Sequence, residues 1–275
     1  MLPTIILAVC VMLILAGIFA VLLGWANARW HVEVPAKLQQ LIDVMPGANC
    51  GGCGYVGCEE YAEAIFHGQA PPDKCPVGGA DLARQISEIM GLELQESYPT
   101  RPVVLCGAKR DDRLKQTSYL GEQTCLAANK VAGLQGCTFG CLGFGDCVDA
   151  CQFDAIHIIE GLAVVDYTKC VGCGACVRAC PRNIIVMVPF KNDRMVVVAC
   201  SNTDPARVVR EVCSVGCIGC GICAKVSDLF EISDNLAKLD YQRYSPETDL
   251  SEAMEKCPRK IIRYAGLAEV ASKEE

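Results

Sequence analysis

The hydrophobic pattern of this chain breaks once, near residue 28. From Ile5 to Gly24 no side chain is charged or strongly polar. As a helix, a run of about 20 apolar residues rises about 30 Å, the thickness of a bilayer's hydrocarbon core, so residues 1–28 are predicted to be a transmembrane anchor. Trp25 and Trp30 fall where interfacial aromatics end such a helix. Arg29 and Lys37 follow the run and no Lys or Arg precedes it. The positive-inside rule then makes this a single-pass segment of the cytoplasmic (inner) membrane with the remainder on the cytoplasmic side. A cleaved signal peptide competes with this reading, because Ala26-Asn27-Ala28 resembles a cleavage site, but the basic segment that should precede it is missing.

Beyond the anchor, residues 29–46 carry Glu33, Pro35 and alternating polar positions, and read as a connector or short helix. Leu82, Ile86, Ile89 and Met90 predict a helix over 80–94, with Gly91 as its terminator. Pro99 and Pro102 favour extended chain, so 98–102 reads as a linker. Two β-hairpins follow from alternation and turn residues: 155–159 with 162–166 around Glu160-Gly161, and 230–232 with 236–239 around Asp234-Asn235. They belong to a repeat. Val103-Val104-Leu105-Cys106 is echoed by Val197-Val198-Ala199-Cys200, Cys137-x3-Cys141 by Cys213-x3-Cys217, and Cys180-Pro181-Arg182 by Cys257-Pro258-Arg259.

Composition explains how such a chain could build an interior. Only 6% of its 275 residues are aromatic, while 21 are cysteine. The run Cys170, Cys173, Cys176, Cys180, Pro181 is C-x2-C-x2-C-x3-C-P, the bacterial ferredoxin signature, whose fourth cysteine serves the neighbouring cluster. Disulfide scaffolds and zinc sites also crowd cysteines, but the former are mostly short chains and zinc pairs usually stop at C-x2-C. Four 4Fe-4S clusters are expected. The first takes Cys50, Cys53, Cys58 and Cys75; the second takes Cys137, Cys141, Cys147 and Cys180; the third takes Cys151, Cys170, Cys173 and Cys176. In the second repeat Cys217, Cys220 and Cys223 persist, yet Ser227 replaces the next cysteine and Tyr244 stands where Cys170 does. One cluster of the pair is therefore gone, and the fourth set is Cys217, Cys220, Cys223 and Cys257, with Cys213 as an alternative to Cys217. Cys10, Cys106, Cys125, Cys200 and Cys213 are left as free thiols.

The fold class is thus α+β: a single N-terminal transmembrane helix, a small 4Fe-4S domain and tandem bacterial-ferredoxin-like modules. The expected boundaries are 1–28 for the anchor, 29–98 for the 4Fe-4S domain, 99–190 for a two-cluster module, 191–265 for a degenerate one-cluster module, and 266–275 for a tail.

A net charge of −7 and the lack of a Lys/Arg stripe interleaved with aromatics argue against nucleic acid as a partner. Neither G-x-x-x-x-G-K-[ST] nor a Rossmann glycine motif occurs, so no flavin or nucleotide site is expected here. His31, His67 and His157 are scattered and form no catalytic signature. Lys109, Arg110, Arg113 and Lys115 could dock an acidic protein, although Asp111 and Asp112 cancel half of that charge. The chain is expected to move electrons and to have no catalytic site of its own.

In order, the anchor, Cys50-Gly-Gly-Cys53-Gly-Tyr-Val-Gly-Cys58 with Cys75-Pro76, and Gly136-Cys137-Thr-Phe-Gly-Cys141-Leu-Gly-Phe-Gly-Asp-Cys147 resemble the B subunits of the Rnf complex. That complex is the ion-translocating ferredoxin:NAD+ oxidoreductase of bacterial and some archaeal membranes. The resemblance implies a protein that accepts electrons from soluble reduced ferredoxin and relays them to flavoprotein and multi-span partners, which would hold the flavin, NAD and ion sites. The loss of one cluster in the third domain departs from the usual ferredoxin pair, and leaves open whether that domain lies on the electron route. A membrane-tethered redox sensor or scaffold, or a component of a corrinoid system, are the alternatives; the corrinoid iron-sulfur proteins carry a similar first cysteine group.

Overall fold

The computed structural model describes residues 2–30, 34–93, 98–245 and 247–267. His31, Glu33, Leu94 at the end of the expected 80–94 helix, and most of the expected tail lie outside them. Helix α1 (Leu2–Trp30) has 29 residues and runs past the predicted span at both ends. Its large apolar side chains from Ile5 to Trp25 are exposed, and within Ile5–Arg29 an 18-residue segment of mean hydropathy 3.2 buries nothing against the rest of the chain. By length and composition this helix can cross a membrane.

Next come α2 (Ala36–Val44), α3 (Cys58–Phe66) and α4 (Gly79–Met90). Their apolar faces meet through Leu38, Leu41, Tyr61, Ile65, Leu82 and Ile86. As its spacing predicts, α4 stops at Gly91, whose φ of 71° is left-handed and whose N–H donates to Ser87 O at 2.7 Å.

The repeat becomes two similar modules. The first runs β1 (Thr100–Val104), α5 (Cys125–Ala128), α6 (Asp146–Asp149), β2 (Ile156–Ile159), β3 (Leu162–Val165), α7 (Ala175–Ala179) and β4 (Ile185–Pro189). The second runs β5 (Arg194–Val198), α8 (Ala206–Val212), α9 (Ile222–Val226), β6 (Phe230–Ser233), β7 (Leu236–Leu239), α10 (Ser251–Lys256) and β8 (Ile262–Gly266). Each pairs its first strand antiparallel with its last, Val104 opposite Ile185 and Val198 opposite Ile262. Each also carries an inner hairpin, β2–β3 and β6–β7. The hairpin turns are left-handed at both central residues: φ is 50° at Glu160 and 77° at Gly161, 51° at Asp234 and 60° at Asn235. Such turns match the strand twist.

The segment 98–102 is not wholly a linker, because Thr100, Arg101 and Pro102 belong to β1. A two-stranded ribbon leaves one side of each strand unpaired, and there a proline costs no ladder bond. The modules share their packing. Val103, Val188 and Phe190 of the first lie in the same core as Met195, Val196 and Val197 of the second, and Val212 and Cys213 pack into the core of the first.

Where the second module has lost its cysteines, apolar side chains fill the space. Counting back from Cys257, Ala253 and Leu250 stand where Cys176 and Cys173 precede Cys180; both are buried, together with Tyr244.

Candidate metal centres

All 21 cysteines are free thiols. The first group is built on the start of α3. Cys58 opens that helix, and its N–H donates to Asn49 Oδ1 at 2.8 Å, which fixes the loop holding Cys50 and Cys53. Cys75 is buried, accepts from the Gly78 N–H at 3.4 Å, and has its thiol pushed up by burial, with Cys53 and Cys58 adding to the effect. A thiol held neutral by burial becomes a thiolate when iron supplies the missing positive charge.

In the first module Cys176 is buried beside Cys151, Cys170 and Cys173, and its thiol is pushed up to about 11, chiefly by desolvation. The Ala155 N–H donates to Cys151 Sγ at 3.4 Å. Arg101 ties the loop to β1 by donating to the carbonyls of Tyr167 and Cys170 at 2.9 and 2.6 Å. The predicted third set therefore stands together. The predicted second set does not: Cys141, Cys147 and Cys180 line one cavity, but its fourth cysteine is Cys125, not Cys137. Cys147 there is pushed up to about 12 by burial, with the Cys141 and Cys125 sulfurs next in effect. Asp146 places Cys125 by accepting from the Cys125 and Leu126 N–H groups at 2.5 and 2.9 Å. In the second module Cys217, Cys220, Cys223 and Cys257 line one cavity.

Two glycines let the hairpins close over these loops. Gly143 (φ 79°) and Gly219 (φ 60°) occupy matching places in the repeat, and a Cβ on either would overlap the carbonyl of Gly161 or Asn235 in the facing turn. The hairpin thereby packs over the cysteine loop.

Cys137 faces a different cavity, which it shares with Cys106, Cys200 and Cys213. Sequence spacing missed both Cys125 and this quartet, since their members come from distant segments. Among the described residues no three His, Cys, Asp or Glu side chains gather tightly enough to hold a single metal ion. Four thiolates set around a cavity are the donor set that a 4Fe-4S group takes.

The basic group that follows β1 is engaged within the chain. Lys109 pairs with Glu160 at 2.5 Å and Lys115 with Glu211 at 3.2 Å, while Arg113 donates to the Gly161 carbonyl at 2.6 Å. It braces the hairpin and α8. The first domain meets the first module at Gly52, where an added Cβ would lie 3.0 Å from Cys173 Cα. Gly52→Val is therefore expected to push the Cys50–Cys75 site away from the Cys173 loop. Stopped-flow spectra should show electron transfer between these two sites slowed about tenfold, a barrier increase of about 1.4 kcal/mol, with iron content unchanged. An unaltered rate would show that the contact is unimportant.

Residues 45–77 match the family model described as a putative Fe-S cluster, and residues 163–186 match the 4Fe-4S binding domain. The chain is 38% identical to the B subunit of the Na(+)-translocating ferredoxin:NAD(+) oxidoreductase complex of Acetobacterium woodii, over 95% of this chain and 78% of that one. It is 37% identical to the B subunit of the proton-translocating complex of Clostridium ljungdahlii, over 94% and 92% of the two chains. The B subunit of the ion-translocating oxidoreductase complex of Methanosarcina acetivorans is 35% identical, over 90% and 95%. The chain belongs to the family of Rnf complex B subunits. Family membership makes it an iron-sulfur member of a multi-subunit, membrane-associated assembly, in agreement with the exposed apolar helix α1. The relatives' names differ in the ion, sodium in one and proton in another, so the likeness does not assign it.

Proposed function

We propose that this chain relays electrons from reduced ferredoxin, through 4Fe-4S clusters on the cytoplasmic side of the membrane, to flavoprotein and multi-span subunits of an ion-translocating ferredoxin:NAD+ oxidoreductase. The observation that carries this reading is the succession of adjoining cysteine sites. Cys50, Cys53, Cys58 and Cys75 form the first, next to Cys173 at Gly52. Cys151, Cys170, Cys173 and Cys176 form the next, and Cys176 neighbours Cys147 of the set Cys125, Cys141, Cys147 and Cys180. The last set is Cys217, Cys220, Cys223 and Cys257, where Cys220 is exposed.

When bound, such clusters accept and release single electrons. The protein's part is to supply thiolates, to direct N–H groups at their sulfurs and to keep water away. Exposed Cys220 gives soluble ferredoxin a point of approach, and the first domain, which follows the anchor, delivers electrons toward the membrane. Arg29 in the last turn of α1 supports the cytoplasmic orientation. With no intramembrane charge on α1, ion movement belongs to other subunits.

Anaerobic purification from membranes tests this reading. The chain should co-purify with flavoproteins and multi-span proteins, and reduced ferredoxin should bleach its absorbance within the turnover time of the complex. A chain that leaves the membrane alone, with clusters that ferredoxin does not reduce, would instead be a sensor or scaffold. Cobalamin in the preparation would point to a corrinoid system.

A further inference from the structure

We propose that Cys106, Cys137, Cys200 and Cys213 hold one more 4Fe-4S cluster, placed between the two ferredoxin-like modules. Its ligand set rests on the geometry alone; its role rests on the relay reading.

Each module contributes one pair, and the pairs are equivalent in the repeat. Cys106 follows β1 as Cys200 follows β5, and Cys137 precedes Cys141 as Cys213 precedes Cys217. The hydrogen bonds obey the same two-fold relation. The Cys141 N–H donates to Cys106 Sγ at 3.4 Å, and the Cys217 N–H donates to Cys200 Sγ at 3.3 Å. Arg182 donates to the carbonyls of Cys137 and Gly140 at 3.1 and 2.7 Å, and Arg259 to those of Cys213 and Gly216 at 2.6 and 3.1 Å. Asn202 Nδ2 adds a donor to Cys137 Sγ at 3.4 Å.

Donors aimed at sulfur and guanidinium groups behind the loop are what a thiolate-bound cluster requires. Three of the four cysteines are buried and all four are free, so neither a disulfide nor bulk water satisfies them. The cavity they line measures about 30 Å³, against about 20 Å³ for each of the cavities of the Cys125 and Cys217 sets. It is therefore at least as roomy as the two sites with ferredoxin-type ligands. Filling it from two ferrous ions, two ferric ions and four sulfides changes no oxidation state, and binding the core releases the four thiol protons. In the relay, one electron comes from the Cys217 set, which is oxidised by one, and one passes on to the Cys141 set, with no proton required.

The cysteines outside α1 then divide into five sets of four. The link also spans the place where the succession would otherwise break, because the backbones of Cys217 and Cys141 touch its two ends.

The experiment is metal analysis of the full-length chain, purified anaerobically in detergent and reconstituted with ferrous iron, ferric iron and sulfide. Five clusters predict about 20 iron and 20 sulfide per chain, and Cys106→Ala with Cys213→Ala should lower both by about four. The double variant should still be reduced by ferredoxin at the Cys217 set, while passage to the first module falls at least tenfold. Because the count on the unaltered chain stands by itself, a variant that fails to fold does not remove the test. About 16 iron with normal ferredoxin reduction would overturn the fifth cluster and leave the relay standing; about 16 iron with one zinc would overturn it in favour of zinc. Failure of ferredoxin to reduce a chain that holds about 20 iron would strike the relay reading and keep the site.

Discussion

Cys176→Ala is expected to stop electron flow through the chain. Cys176 is buried at the junction of two sites, beside Cys151, Cys170 and Cys173 of its own set and among the sulfurs that raise the Cys147 thiol. Alanine offers iron no ligand and cannot be replaced by water behind the β2–β3 hairpin. Mutating groups that merely support a metal ligand costs about 10–100-fold, so loss of the ligand itself should cut ferredoxin-driven transfer by about 100-fold or more. Iron content should fall by about four per chain. Membrane vesicles carrying the variant complex, assayed for ferredoxin-dependent NAD+ reduction, give the rate. A variant that retained both iron and rate would remove Cys176 from the relay.

Gly143→Ala should damage the same module without touching a ligand. The left-handed backbone costs a non-glycine residue about 1–2 kcal/mol, and displacing the Gly161 carbonyl adds about 1–3 kcal/mol by overpacking. The hairpin must then lift away from the Cys141–Cys147 loop and let water reach that set. Gly133→Ala is the control: its φ of 77° is as demanding, but nothing lies within 4 Å of an added Cβ. Thermal unfolding of the reconstituted chain should therefore show a modest loss for Gly133→Ala and a larger one, with iron loss, for Gly143→Ala. Equal losses would mean that the close approach to the hairpin has no consequence.

Much of this fold could be read before any coordinates. Helix α4 and its glycine stop, both hairpins and the repeat follow from short-range patterning, because periodicity and turn chemistry act within about ten residues. Strand β1 was obscured by Pro99 and Pro102, which signal extended chain but not a partner, and that partner, β4, lies 85 residues further on. The cysteines divide the same way. Sets tied to one tight loop carry a legible spacing, whereas Cys125 reaches Cys141 and Cys147 only because Asp146 grips the start of α5. Cys106 and Cys200 are 94 positions apart and meet only because the two modules pack core to core. Their recurrence at equivalent repeat positions was the one available signal.

The packing of Tyr244, Leu250 and Ala253 gives the second module a property that a common ferredoxin lacks. An ordinary two-cluster ferredoxin conducts from one end to the other and can discharge at either. Here the far half is filled by hydrocarbon and a phenol ring, so it acts as an insulator behind the last cluster. In the proposed relay, charge arriving at the Cys217 set can leave only by the exposed Cys220 side through which it came or across the module interface, never through this filled half.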